Sequence, residues 1–99
     1  MRPIHTACLD KPRPVVILTR ELVRPYLDRV TVAPITSTIR GLSTEVPLGS
    51  ANGLDHRCVI SCDDIVTVPT SALGRLIGHL LPAQEAALTA AIHAAFDLD

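Results

Sequence analysis

Tryptophan is absent from this 99-residue chain, and tyrosine and phenylalanine occur once each, as Tyr26 and Phe96. A core without aromatic plugs has to be packed from Val, Ile, Leu and Ala. The same poverty argues against two kinds of binding module. Proteins that hold single strands by stacking bases need exposed rings on a sheet face, and an SH3-like adaptor for proline-rich peptides needs an aromatic-lined groove. Two aromatics cannot readily line either. No apolar run approaches the roughly 20 residues that span a bilayer, so membrane insertion is not expected. Met1-Arg2-Pro3 opens the chain without the apolar core of a signal peptide, and Cys8, Cys58 and Cys62 form an odd set. A reducing cytoplasm is the simpler location for such thiols.

An excess of charge is also lacking: the formal net charge is −1, whereas phosphate contacts require clustered Lys and Arg. The average hides a split. Residues 1–42 carry seven basic groups against three acids, and residues 43–99 carry two against seven. That asymmetry permits a local basic site on a nearly neutral protein, although sequence halves need not be spatial halves.

What is present suits one compact domain over residues 1–99, with 47% hydrophobic residues and no internal repeat or linker. β-Branched clusters separated by Pro, Gly and Asn predict short strands over Arg13–Thr19, Arg29–Ile35, Thr44–Leu48, Arg57–Ser61 and Ile65–Val68, with Arg75–Leu80 as a last one. Thr19 is suited to cap a helical turn over Arg20–Val23 that Arg24-Pro25 stops. Thr36–Gly41 reads as a polar loop, Ala51-Asn52-Gly53 as a turn, and Thr70–Leu73 as a brief helical turn. Pro82 fits the first turn of a terminal helix running to about Phe96, with Leu88, Ile92, Ala95 and Phe96 on one face. Many short strands and one closing helix predict a mainly β chain with some α: a small, strongly curved antiparallel β-barrel with a C-terminal helix.

Pro12 and Pro14 bracket Arg13 and hold its backbone extended at the start of a strand. Lys11-Pro12-Arg13-Pro14-Val15-Val16-Ile17-Leu18-Thr19 resembles the Arg-Pro-Val-hydrophobic strand of MazF/PemK toxins. Val32-Ala33-Pro34-Ile35-Thr36 then resembles that family's strand ending in a catalytic Thr or Ser. Leu42–Leu48, Gly53–Ile65 and the terminal helix follow in the family's order, so the resemblance spans nearly the whole chain. It implies an SH3-like barrel of the MazF/CcdB kind, a homodimer, and cleavage of single-stranded RNA without metal or cofactor. It also implies a cytoplasmic toxin held in check by an acidic, MazE-like antitoxin, and it carries Arg13 and Thr36 onto the catalytic positions. Lys11, Ser37, Thr38 and Arg40 flank them as phosphate or base contacts.

Those residue types suit the reaction. When an RNA 2′-hydroxyl attacks its own phosphate, charge builds on the phosphorane oxygens and on the departing 5′ oxygen. A guanidinium can hold two such oxygens and stays charged at any working pH. A threonine hydroxyl can donate one more hydrogen bond but is too weakly basic to take the 2′ proton. His5 and His56 are the nearer histidines for that step, and neither matches a catalytic position of the family. The chain departs from the family at its beginning, where a longer Gly-Ser-Glu-Gln-like loop usually precedes the Arg-Pro pair. The loop's acidic or amide contact is therefore left without an evident source.

Blander readings apply elsewhere. Cys58 and Cys62 lie an even number of residues apart and, with His56, hint at metal ligands, but a fourth partner is missing and buried thiols are expected. Asp63 and Asp64, if on a strand, point to opposite faces and belong to a turn or solvated edge. His93 belongs on the surface of the helix. The alternative function is a non-catalytic toxin that inhibits DNA gyrase, as the related CcdB proteins do through a Trp-Gly-Ile tail. This chain reads Phe96-Asp97-Leu98-Asp99 at that place.

Overall fold

The computed structural model describes residues 1–98. Seven strands precede one helix: β1 (Pro3–Cys8), β2 (Pro12–Ile17), β3 (Arg29–Thr36), β4 (Glu45–Leu48), β5 (Cys58–Ser61), β6 (Val66–Pro69), β7 (Leu73–His79) and α1 (Pro82–Ala95). All pairings are antiparallel, in the order β4-β5-β3-β2-β1-β7, and β6 also pairs with β3. β5 lies opposite Ile35 and Thr36, and β6 lies opposite Arg29–Val32. The two are consecutive stretches along one edge of β3, interrupted by a 3-10 turn at Cys62–Asp64. That interruption lets the sheet curl into a half-barrel, and α1 packs against β4 and the same turn. The expected small antiparallel barrel with a C-terminal helix is therefore what the chain forms.

Strand periodicity explains why the run Val15-Val16-Ile17 is buried throughout. Successive side chains point to opposite sheet faces, and here both faces are covered. Val16, Ala33 and Ile35 join Ile4, Ile60 and Leu88 in the larger cluster. Val15, Ile17, Val30 and Val32 join Ala7 in the smaller, against which Leu9, Val68 and Leu73 pack. No aromatic side chain enters either cluster, as the composition required. Cys58 and Cys62 sit in the larger cluster as buried free thiols. Burial pushes the Cys58 thiol up and the Cys62 thiol up to about 11.

Two local expectations need correction. The turn expected at Arg20–Val23 forms, its Val23 N–H reaching the Arg20 carbonyl, but Thr19 Oγ1 accepts the Thr31 N–H instead of capping it. Nor does Arg24-Pro25 stop it: Pro25 sits in the first turn of a 3-10 helix at Arg24–Tyr26, where its fixed φ is tolerated. Phe96 leaves the core face of α1: the helix ends at Ala95, and Phe96, at φ −114°, is 55% exposed. Asp63 and Asp64 lie in a 3-10 turn, as expected of a turn or solvated edge. Among the described residues, no helix is long and apolar enough to cross a membrane.

Candidate functional site

β1 runs on to Cys8, which pairs with Pro12, so only Leu9–Lys11 connect β1 to β2. This three-residue hairpin puts Asp10 over the start of β2. The Arg13 guanidinium donates from Nε to one Asp10 oxygen at 3.0 Å and from Nη2 to the other at 3.2 Å. The hydrogen bonds from Arg13 hold the Asp10 carboxyl below its ordinary value, and Asp10 in turn raises Arg13. The abbreviated loop thus still supplies an acidic contact. Three of the guanidinium's five N–H donors stay free of Asp10 and can serve an oxyanion.

Thr36 ends β3, where the strand gives way to the loop 37–44. Its Oγ1 accepts the Thr38 backbone N–H at 3.1 Å. A hydroxyl that accepts there keeps its own proton available to donate outward. The loop is braced by Glu45, whose Oε1 accepts the backbone N–H groups of Arg40, Gly41 and Leu42 at 3.2, 2.8 and 3.2 Å. Gly41, at φ +76°, supplies the left-handed turn that lets these amides converge.

Arg13, Thr36 and Thr38 form a wall shared by two open clefts. The first, about 410 Å³, is also lined by Asp10, Arg40, Glu45, Ser61, Asp63 and Asp64. Within it, Asp63 accepts the Thr44 hydroxyl at 2.7 Å and Asp64 accepts that of Ser61 at 2.8 Å. The second, about 520 Å³, adds Lys11, Ser37, Asp55, His56 and Arg75. All six residues singled out from the sequence therefore meet here: Arg13, Thr36 and Thr38 on the wall, Arg40 on one side, Lys11 and Ser37 on the other. Of the two histidines left open, His56 shares a cleft with Arg13, with Asp55 against its Nδ1. His5 lines neither cleft, and its Nδ1 lies 3.0 Å from the Gly74 carbonyl oxygen.

Sequence reading missed Asp10, Glu45, the Asp63-Asp64 pair and Arg75. The split between a basic first half and an acidic second half also does not survive folding. β5 and the turn after it bring carboxylates from the second half beside Arg13 and Arg40 from the first.

Fold and site together define a class: a small curled half-barrel, closed by one helix, that presents a guanidinium beside a hydroxyl at an open cleft. Within that class, the chain belongs to the PemK-like, MazF-like toxins of type II toxin-antitoxin systems, whose family model matches residues 4–96. It is 64% identical over 99 residues to the endoribonuclease MazF3 of Mycobacterium tuberculosis, covering 100% of this chain and 96% of that protein. It is 36% identical over 86 residues to the probable endoribonuclease MazF5 of the same organism, covering 86% and 79%. Its fold superposes on the M. tuberculosis toxin MazF-mt6 with a TM-score of 0.97 at 63% identity, over 99% of each chain. A mycobacterial endoribonuclease solved with its cognate antitoxin shares the fold at 22% identity, with a TM-score of 0.87 over 98% of this chain and 93% of that one.

Proposed function

We propose that this toxin is a sequence-specific endoribonuclease that cuts single-stranded RNA and so inhibits translation and growth. The observation that carries the reading is the Arg13 guanidinium, oriented by Asp10, on the same cleft wall as the Thr36 hydroxyl, in a chain 64% identical to a named endoribonuclease. The cut proceeds by attack of the 2′-hydroxyl on the adjacent phosphorus, leaving a 2′,3′-cyclic phosphate and a 5′-hydroxyl. Arg13 stabilises the charge that develops on the phosphorane and donates a proton toward the departing 5′ oxygen. Thr36 donates its hydroxyl proton to a second phosphate oxygen. His56 is the histidine to test as acceptor of the 2′ proton, since it faces the same cleft. Lys11, Ser37, Thr38 and Arg40 are the further phosphate or base contacts around that wall. No metal or other cofactor enters these steps.

The working unit is a cytoplasmic homodimer, and its controlling partner is an acidic antitoxin segment that folds across the cleft and excludes RNA. The expected result is that purified protein cuts a mixed-sequence RNA in EDTA and leaves 5′-hydroxyl ends. Arg13→Ala should remove nearly all cutting while its circular dichroism spectrum stays native. Full activity in that variant would overturn the assignment.

A further inference from the structure

The two clefts that share the Arg13–Thr36–Thr38 wall differ in charge. On the first side, Asp10, Glu45, Asp63 and Asp64 face Arg13 and Arg40, a net of −2 with all groups ionised. On the second, Lys11, Arg13 and Arg75 face Asp55, a net of +2 with His56 neutral. Lys11 and Arg75 on the second side enter no ion pair among the described residues and are exposed. Arg40 on the first side is likewise unpaired and exposed but shares its cleft with four carboxylates, and Arg13, common to both, is engaged by Asp10.

A nucleic-acid strand carries one charge per phosphate and cannot run both ways from this wall at equal cost. Toward the carboxylates each successive phosphate is repelled; toward Lys11 and Arg75 it is attracted. On the reading of the wall as an RNA-cutting centre, we infer that the phosphodiester chain leaves it through the second cleft, with Arg75 as a phosphate-binding residue beside Lys11. Arg75 comes from β7, two strands away from Arg13, and reaches the same cleft because β1 pairs with both strands: Ala7 lies opposite Arg13 on one side and Leu73 on the other. A planar guanidinium there can grip two oxygens of one phosphate and so hold the strand in register.

The test is binding to a short mixed-sequence RNA pool in its 2′-deoxy form, which lacks the attacking hydroxyl, measured from about 50 to 200 mM salt. Arg75→Gln should bind roughly tenfold more weakly at low salt, and its log-affinity against log-salt slope should be shallower by about 0.7, one phosphate's worth for a single strand. Arg75→Lys should keep the wild-type slope. Arg29→Gln removes the same charge from an exposed position lining neither cleft and should leave both quantities unchanged. A wild-type slope in Arg75→Gln, or an equal loss in Arg29→Gln, overturns the inference. Cutting of the unmodified RNA pool by the wild type is followed in parallel. Cutting combined with an unaltered Arg75→Gln slope sinks the phosphate path alone, and neither cutting nor binding sinks it together with the RNA-cutting reading.

Discussion

Arg13 and Asp10 illustrate how much one short hairpin decides. A free arginine side chain samples many rotamers, and fastening its Nε and Nη2 to one carboxylate fixes the guanidinium plane. Asp10→Asn removes the charge that orients the fork, and on the role proposed for Arg13 RNA cutting should fall by about ten- to hundredfold, the usual cost of misplacing a reacting group. Single-turnover rates at saturating protein separate this from weakened binding. The pair also has a pH signature. Because the folded-state Asp10 carboxyl lies below its ordinary value, the pairing is intact above that value and is lost as pH falls through the lowered one. That Arg13 and Thr36 line one cleft was legible in the sequence because Arg13 opens one recognisable strand pattern and Thr36 closes another. Asp10 was not, since its role depends on β1 continuing to Cys8, and nothing in Thr6-Ala7-Cys8 announces a strand that long.

At the level of elements, the loop 37–44 and the turn Cys62–Asp64 carry most of what the sequence concealed. Glu45 was read as part of a strand pattern, and Asp63-Asp64 as a turn or solvated edge; both hold, but neither reading carries the contacts across the cleft mouth. Glu45→Ala should speed amide hydrogen exchange at Arg40, Gly41 and Leu42, with only about 1 kcal/mol lost in urea unfolding, since these hydrogen bonds are exposed. Unchanged exchange would show that the loop holds its shape without the carboxylate. A different constraint governs β7, where a Cβ at Gly78 would collide with the Asn52 backbone carbonyl oxygen. Gly78→Ala should therefore destabilise the fold by about 1–3 kcal/mol, measured by urea denaturation. Six of the seven strands and the terminal helix were foreseen in place, with ends shifted by a residue or two, because periodicity and prolines are local signals; β1 was not among them. Which loops meet was not foreseen, because that depends on how far the sheet curls.

Across the whole molecule, the buried thiols make stability depend on alkaline pH. A folded-state Cys62 value of about 11, against an ordinary 9.0, means that the neutral thiol favours the native state fully below pH 9. That contribution is lost as pH rises toward 11. Chemical denaturation across this window should show wild-type stability falling more steeply than that of Cys62→Ala, and parallel curves would refute the assignment. In native buffer a thiol reagent should modify exposed Cys8 quickly and the two buried thiols only on unfolding.

The aliphatic interior has one more consequence, and it is optical. With Tyr26 86% exposed and Phe96 outside the core, folding moves no ring from water into a packed, asymmetric environment. Near-ultraviolet dichroism and intrinsic fluorescence should barely register the transition, and far-ultraviolet dichroism must report it instead. Conversely, the protein lends almost no near-ultraviolet background, so the absorbance of an added RNA's nucleobases can be followed nearly unobscured by the protein.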